Sequence, residues 1–298
     1  MRGVSVIIPT YNRQNYISQA IESILDQDFE GNVEIIISDD GSTDNTLNVV
    51  KNYEGNIRII KRPDDCFKQG ASGARNRGIM ASKYSYICFL DSDDFFLPGH
   101  LKNMVSKIES KPDINFAFCR LLEVDENYNK NLFRLWSKAL ITQRDIRLLT
   151  LSKHNVIQTN GFIFKREVFD KIGMFDENLS NGEDTDLWMR ISEIYKGAFS
   201  NSYGAVIRKH SSGQLTDATE NSLRKIKIEI FNRAIKRYKK LGLHDAFRIF
   251  KLYYVVNKYR ALGVPLLKQV VQAIDQLKKT KSTDSEWKPL EHFIKPVI

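Results

Sequence analysis

The stretch YICFLDSDDFFLP, residues 86–98, joins an apolar segment to a cluster of acids. Its first five residues have the length and composition of a buried strand. Three carboxylates, Asp91, Asp93 and Asp94, follow at once. Carboxylates that are packed together at a strand end repel one another and raise each other's pKa unless a positive group lies between them. The stretch therefore predicts a core strand whose carboxyl end needs a cation.

The segments on either side of this stretch alternate between strand and helix patterns. A strand-like half is followed by a helix-like half in residues 4–27, 33–53, 56–82 and 86–110. The first helix carries apolar residues at helical spacing: Ile17, Ile21, Ile24 and Leu25. Because parallel neighbours need crossover connections, the alternation predicts an α/β fold with a doubly wound, mostly parallel sheet and helices on both faces.

Three of the predicted strands end in polar segments, which are residues 9–13 (PTYNR), 39–42 (DDGS) and 91–94 (DSDD). Each segment has an ordinary explanation when it is taken alone. DDGS is typical of a turn in which Gly41 permits positive φ, and a lone DxD is typical of a solvated capping turn. Ligands of doubly wound sheets, however, bind at the carboxyl ends of the strands. Three such segments at one edge therefore favour a binding site.

A divalent metal ion would explain the crowded acids. Mg²⁺ and Mn²⁺ bind carboxylate and phosphate oxygens, typically through one or two carboxylates and the phosphates of a ligand. Asp91 and Asp93 suit that role. The sequence contains neither a GxxxxGK[ST] loop nor a GxGxxG after the first strand, which are the main backbone devices for holding phosphate without such a metal. We therefore expect the acids to hold Mn²⁺ or Mg²⁺ and the metal to hold a diphosphate.

Five blocks of the sequence, in their order and spacing, resemble the family 2 glycosyltransferases of GT-A (Rossmann-like) fold. They are VSVIIPTYNR (4–13), EIIISDDGSTDNT (34–46), ASGARNRGI (71–79), CFLDSDDFFLP (88–98) and NGEDTDLWMR (181–190). The resemblance extends over residues 3 to about 212. It implies an inverting transfer of a sugar from a nucleotide diphosphate sugar, usually linked to uridine, with Mn²⁺ or Mg²⁺ as the cofactor.

The same resemblance implies roles for individual residues. The nucleotide-sugar donor would be bound by Pro9, Thr10, Tyr11, Arg13, Asp39, Arg75, Asp91 and Ser92. The metal would be bound by Asp93 and by His210, whose position is similar to that of a histidine that many relatives place near the metal or the diphosphate. The catalytic base would be Asp184, next to Glu183.

Physical arguments support two of these assignments independently. The carboxylate of Asp39 accepts hydrogen bonds, so it suits the N3–H of uracil better than the unprotonated ring nitrogen of cytosine. A general base has to reach the acceptor hydroxyl and stay apart from the metal-bound leaving group, which explains a second carboxylate far away in sequence. Asp184 and Glu183 begin a predicted helix, where acids also cap the helix and stabilise its dipole. Trp188 on this helix is more typical of a core side chain than of a platform for sugar.

The charge of the chain is unevenly distributed. The net charge is +9, but residues 219–298 contain 18 Lys and Arg against 7 Asp and Glu, and residues 1–218 are nearly neutral. Helical patterns predict that residues 219–298 form a basic C-terminal extension of a catalytic domain at 1–218. The basic face of this extension is either simply solvated or binds anionic lipid headgroups.

The acceptor and the location are less sharply defined. Residues 119–160 match no motif and are expected to shape the pocket of a glycan or lipid-linked acceptor, as in cell-surface polysaccharide synthesis. The sequence has no QxxRW-like motif, which favours addition of a single sugar. It has no apolar run of about 20 residues and no signal-peptide pattern, so we expect a cytoplasmic protein, at the inner face of the membrane if the extension binds lipid.

Two other classes of protein share part of this pattern. A metal-dependent nucleotidyltransferase has a similar fold and metal aspartate, but PTYNRQNY stands where its Gly-rich, Arg-containing loop is expected. A nucleic-acid-binding module is compatible with the basic, tyrosine-containing extension and leaves the acidic strand ends unexplained. We therefore expect a sugar transferase with no nucleic-acid partner.

Overall fold

The computed structural model describes residues 2–62, 68–125, 130–131, 158–179 and 181–209, together with 229–230, 232–234, 236–237 and 240. His210, much of the expected acceptor segment, the predicted domain boundary at 218/219 and most of the basic extension lie outside these residues. Among the helices of the described part, none combines the length and the hydropathy that a membrane span requires.

The described part alternates strands and helices in the predicted order. Its strands are β1 (Gly3–Thr10), β2 (Asn32–Asp39), β3 (Ile57–Lys61), β4 (Tyr86–Phe89), β5 (Phe95–Phe96), β6 (Ile114–Val124), β7 (Lys130–Asn131), β8 (Phe162–Lys165) and β9 (Lys196–Arg208). Its helices are α1 (Ile17–Leu25), α2 (Thr46–Lys51), α3 (Ala71–Ala81), α4 (His100–Glu109), α5 (Glu167–Ile172) and α6 (Glu183–Ile194). A 3₁₀ turn at Thr159–Gly161 precedes β8.

These strands form one sheet in the order β3-β2-β1-β4-β8-β6-β9-β5, and β7 pairs with β6. The first four strands are parallel neighbours, with Val6 of β1 opposite Ile35 of β2 on one side and Cys88 of β4 on the other. Strands β6 and β9 run in the same direction as these four. The predicted mostly parallel α/β sheet is therefore confirmed.

One strand of the sheet is not predicted by the sequence patterns. Strand β8 lies antiparallel between β4 and β6, with Ile163 opposite both Cys88 and Ala117. Its insertion brings the 3₁₀ turn at Thr159–Gly161 against the end of β4. A short segment from the unassigned region thereby reaches the acids that follow β4.

The sheet has a hydrophobic core on each face, because side chains alternate along its buried strands. Val6 and Ile8 of β1 belong to one core cluster, and Ile7 between them belongs to the other. In α1 the predicted apolar positions are buried except Leu25, which is 51% exposed. Leu25 is the last residue of α1 and lies one position beyond the buried stripe.

Helix α6 packs its apolar side into the second core cluster. Trp188 is fully buried and stacks on the rings of Phe162 and Phe164, with centroid distances of 4.5 and 4.9 Å. It is therefore a core side chain and not a sugar platform. Tyr195, at the end of the helix, packs against the same cluster, whereas Ile194 is 44% exposed.

Helix α3 lies unusually close to the sheet. A Cβ atom added to Gly78 would come within 2.3 Å of the Ile7 side chain, so only glycine allows this approach. The contact sets the height of α3 above β1. Arg75, nearly one turn earlier in α3, is held over the carboxyl ends of the strands, where ligands of such sheets bind.

Described residues between 229 and 240, in the predicted basic extension, contact helix α6. These residues are helical, and Ile230 and Ala234 are fully buried. Arg237 pairs with Glu193 of α6. The start of the extension therefore packs against the helix that begins with Glu183 and Asp184.

Candidate active site

Arg75 connects the acids after β4 with the start of α6. Its Nη2 donates to Oδ1 of Asp91 at 2.8 Å, and its Nη1 donates to Oε1 of Glu183 at 3.0 Å. The guanidinium also lies 5.4 Å from the ring centroid of Phe175. Burial alone would lower the pKa of Arg75, but the two carboxylates outweigh that effect and raise it. Arg75 and Asp91, which are predicted to bind the donor, are thus joined to Glu183, which is predicted to be catalytic.

Asn160 holds the loop that follows β4. Its Oδ1 accepts the backbone N–H of Asp91 at 2.9 Å, and its Nδ2 donates to Oδ2 of Asp94 at 2.5 Å. The other oxygen of Asp94 accepts the backbone N–H of Arg208, at the end of β9, at 2.8 Å. Burial raises the pKa of both Asp91 and Asp94, and the Asp93 carboxylate raises each further. Burial and the neighbouring carboxylate therefore both disfavour the charged forms of Asp91 and Asp94.

Asp93 lies across from Arg13 of the β1–α1 loop, with 3.5 Å between Oδ2 and Nε. Its side chain is 16% exposed, so a ligand can reach it. In the described ranges, no set of three or more Asp, Glu, His or Cys side chains is arranged to hold a metal by itself. Mn²⁺ and Mg²⁺ usually take only one or two protein carboxylates and complete their shell with phosphate and water. The oxygen donors of Asp91 and Asp93 fit such an ion.

Hydrogen bonds connect the β1–α1 loop to the β2–α2 loop. Asn12, at φ 51°, accepts the backbone N–H of Thr43 through Oδ1 at 2.8 Å and donates its own N–H to Oγ of Ser42 at 3.0 Å. The N–H of Arg13 donates to Oγ1 of Thr46 at 2.7 Å. Two of the polar segments that the sequence places at one edge therefore lie together.

The Asp39 carboxylate takes part in its own turn. It accepts the backbone N–H groups of Gly41, at φ 97°, and of Ser42, both at 3.2 Å. The turn explanation of DDGS is therefore correct, and the turn fixes the direction of a carboxylate that can still accept from a ligand. The next acid, Asp40, is paired with buried Arg77 at 2.9 Å and has a structural role.

The remaining predicted donor residues lie at the same edge of the sheet. Pro9 and Thr10 end β1, where Thr10 is opposite Asp39 in the parallel register. Thr10 and Ser92 are buried. Tyr11, the next residue along the chain, is 47% exposed, which leaves its ring accessible to a planar ligand. His210 is outside the described residues, so its predicted role as a metal ligand stays a prediction.

Asp184 is the second residue of α6, which follows Gly182 at φ 73°. Its Oδ1 accepts the backbone N–H of Thr185 at 2.5 Å. The start of a helix favours the charged form of an acid. Burial and the Glu183 carboxylate nevertheless outweigh this effect and raise the pKa of Asp184 to about 6. Such a carboxylate is ionised at neutral pH and is a stronger base than an ordinary aspartate.

The segment before α6 is fixed to α3 through Asn76. Its Oδ1 accepts the backbone N–H of Phe175, and its Nδ2 donates to the Phe175 carbonyl, both at 3.0 Å. The same Nδ2 lies 2.7 Å from Oε1 of Glu177. Adjacent residues of α3, Arg75 and Asn76, thus orient the acids of α6 and the loop that leads to them.

Sequence reasoning missed Asn160 and Asn76 as parts of this site. Asn160 lies in a segment without a motif, and the dipeptide Asn-Gly reads as an ordinary turn. Its full burial is created by the insertion of β8 and has no periodic signal. Asn76 does lie in the block ASGARNRGI, where a polar residue on the side of the helix that faces the protein was the available signal.

The mostly parallel sheet with flanking helices matches the GT-A fold. A model of the family described as "Glycosyl transferase family 2" matches residues 5–173, more than half of the chain. The chain therefore belongs to the family 2 glycosyltransferases, as its sequence blocks indicate.

Several relatives in other organisms are similar in sequence. An uncharacterized glycosyltransferase of Rickettsia felis is 32% identical over 213 residues, which are 70% of this chain and 34% of the relative. One from Rickettsia typhi is 33% identical over 64% of this chain and 60% of its own length. The chain thus spans between about a third and 60% of these first relatives. The GalNAc(5)-diNAcBac-PP-undecaprenol beta-1,3-glucosyltransferase of Campylobacter jejuni is 28% identical over 89% of this chain and 90% of the relative.

Two solved structures show the same fold. S. aureus TarS 1–349, in complex with UDP-GlcNAc, has a TM-score of 0.68 at 20% identity, covering 87% of this chain and 73% of TarS 1–349. The mannosyltransferase PcManGT from Pyrobaculum calidifontis, in complex with GDP-Man and Mn²⁺, has a TM-score of 0.58 at 16% identity, covering 98% and 84%.

Proposed function

We propose that the protein is an inverting, metal-dependent glycosyltransferase that moves one hexosyl or N-acetylhexosaminyl group from a UDP-sugar to an acceptor hydroxyl. One observation carries the proposal: Arg75 bonds at once to Asp91, among the acids after β4, and to Glu183, the residue before Asp184. A donor-side acid and the base are thereby held within reach of one guanidinium. Such convergence is what direct transfer between a bound donor and a bound acceptor requires.

The donor would bind along the carboxyl ends of β1, β2 and β4. Asp39, oriented by its turn, would accept the N3–H of uracil, and the exposed ring of Tyr11 would cover the base. Mn²⁺ or Mg²⁺, held by Asp93 with Asp91 nearby, would neutralise the charge that develops on the diphosphate leaving group. The UDP-GlcNAc in TarS and the Mn²⁺ in PcManGT support a donor and a cofactor of these kinds.

Asp184 would act as the general base. Its carboxylate takes the proton of the acceptor hydroxyl while the hydroxyl oxygen attacks the anomeric carbon and the bond to the diphosphate breaks. The attack comes from the face opposite the leaving group, so a single displacement inverts the anomeric centre. Glu183, paired with Arg75, keeps the start of α6 in place, and its negative charge keeps the pKa of Asp184 high.

A lipid-linked acceptor is the favoured class, because the Campylobacter relative has an undecaprenol diphosphate compound in its name and matches nearly its full length. The basic residues of 219–298 would bring the enzyme to the inner face of a membrane that contains anionic lipid. Sedimentation with phosphatidylglycerol vesicles tests this: the intact protein should pellet with the vesicles at low salt and be released at about 1 M salt, where the Debye length is about 3 Å. Protein that remains in the supernatant at low salt would favour a solvated extension.

Thermal unfolding with nucleotides tests donor and metal binding together. UDP with Mn²⁺ should stabilise the protein, by about 2.7 kcal/mol at 100 times its Kd, and CDP should stabilise it less. EDTA should remove most of the effect, as should Asp93→Ala. Asp28→Ala is the matched control, because this acid is 77% exposed and lies before the amino end of β2, at the other end of the strand from Asp39. Equal stabilisation by UDP with and without metal would contradict the proposed role of the acids.

A further inference from the structure

We infer that Arg237 of the C-terminal extension is a positioning residue for the start of α6. The inference rests on the proposed function, because the group that it positions is the proposed base, Asp184. Arg237 itself belongs to the part of the chain that lies beyond all five sequence blocks, which end at residue 190.

The described helical residues between 229 and 240 have one buried side. Ile230 and Ala234 are four residues apart and fully buried. Arg233 and Arg237 lie three residues beyond each of them, so they point from the same side of the helix. Lys236, between the arginines, is exposed. Contacts with residues 176–193 are made by the two arginines on this side.

Arg237 contacts both ends of α6. Its Nε lies 2.9 Å from each carboxylate oxygen of Glu193, in the last turn of α6. Its Nη1 is 3.6 Å from Oδ1 of Asp186, in the first turn. Asp186 is two residues from Asp184, and its Oδ1 makes no hydrogen bond with the described residues. One side chain of the extension thus holds the helix along its length.

A second set of contacts involves the loop before α6. Nη1 of Arg233 lies 2.7 Å from Oδ2 of Asp176 in that loop. Arg190, which pairs with Asp186 at 2.7 Å, donates to the backbone carbonyls of Ile172 and Met174. The loop is therefore held by Arg233 of the extension and by Arg190 of α6, in addition to Asn76 of α3.

Burial makes these contacts strong enough to position the helix. The side chains of Asp186 and Glu193 are each 3% exposed. Burial raises the pKa of Glu193, and the charge of Arg237 opposes that rise. Without Arg237, Asp186 keeps its pair with Arg190, but the buried carboxylate of Glu193 loses the guanidinium that bonds both of its oxygens. Removing the partner of a buried charge is far more disruptive than losing a surface pair. Without Arg237, we expect α6 to shift or open at its first turn.

Hydrogen exchange of the full-length protein tests the positioning directly. In Arg237→Ala, amides of residues 173–193 should exchange about tenfold faster, because a hydrogen bond to a charged group stabilises a closed state by about that factor. Amides of β1 and β2 should not change. Lys236→Ala, which removes a neighbouring exposed charge, should match the wild type. Wild-type exchange at 173–193 in Arg237→Ala would overturn the inference.

A more conservative variant covers the case in which Arg237→Ala does not fold. Arg237→Lys keeps the charge and loses the planar fork, so it should show a smaller rise in exchange, confined to 173–193. A rise of equal size in β1 and β2 for both variants would show that the contact only stabilises the whole fold. That result would also overturn the inference.

Kinetics distinguish this inference from the proposed function. With UDP-GlcNAc and Mn²⁺ as the probe, the kcat for UDP release should fall about 10–100-fold in Arg237→Ala, since a displacement of about 1 Å can cost about 10²-fold. KM and UDP affinity should be unchanged. If Asp184→Asn loses activity and Arg237→Ala does not, Asp184 is the base, and Arg237 does not position it. If Asp184→Asn stays active, Asp184 is not the base. Hydrogen exchange alone then tests whether Arg237 holds the start of α6 in place.

Discussion

Replacing Asp184 by Asn separates donor binding from chemistry at one atom. The amide oxygen can still accept the Thr185 N–H that Oδ1 of Asp184 accepts at 2.5 Å, so the start of α6 should keep its shape. The variant cannot take a proton from the acceptor. Because a positioned general base contributes about 10²–10⁴-fold, kcat should fall by that factor, while UDP affinity with Mn²⁺ should not change.

The pKa of Asp184, raised to about 6, predicts the acidic limb of the pH profile. The ionised form is the active one, so the rate should fall as the pH falls through about 6, and at pH 5 about one tenth of the base remains ionised. An aspartate with the ordinary value of about 3.9 would be mostly ionised there. Glu183→Gln removes the neighbouring charge that raises this pKa, so the limb should shift to lower pH.

The assay pairs two measurements on each protein: calorimetry of UDP with Mn²⁺, and UDP release from the sugar nucleotide that stabilises the protein most. Glu183→Gln should lose less activity than Asp184→Asn, about tenfold, through the weakened pair with Arg75. Transfer by Asp184→Asn at the wild-type rate, or a loss of UDP binding together with activity, would refute Asp184 as the base. In either case the base lies elsewhere.

Three further predictions concern the acids and the core. Asp93→Ala should abolish the dependence of UDP affinity on metal, which calorimetry with and without EDTA would show; retained dependence would place the metal elsewhere. Asn160→Ala should lower the free energy of unfolding by about 1–3 kcal/mol, since the buried carboxylate of Asp94 loses a donor, and a urea midpoint equal to that of the wild type would contradict this. Gly78→Ala should destabilise the protein by about 1–3 kcal/mol in the same assay, because the new Cβ would lie 2.3 Å from Ile7; an unchanged midpoint would mean that α3 can move away at no cost.

The sequence predicted the first half of the fold and the edge where the site lies, because both depend on local patterns. Short β-branched segments that alternate with amphipathic helices imply parallel strands, and parallel strands bring their carboxyl ends together. The segments 9–13 and 39–42 do lie side by side, connected through Asn12. The apolar stripe of α1 failed only at Leu25, at the end of the helix, where periodicity is a weak guide to burial.

The second half of the fold could not be predicted in the same way. Strand β8 is four residues long and gains its place from its neighbours β4 and β6, not from its own pattern. Short strands carry little periodic signal, and their pairing is decided by contacts between residues far apart in sequence. The sequence around Asn160 therefore contains no pattern that predicts its contact with the acids after β4.

By itself, the sequence determined the family of this protein, the acids that end β4 and the pair that begins α6, because each is a local run of residue types. Only the tertiary structure decided how these runs act on one another. It placed Arg75 between Asp91 and Glu183, residues 92 positions apart in the chain, and it raised the pKa of Asp184 to about 6. Burial and charge proximity are properties of the packed chain, and no single segment contains them.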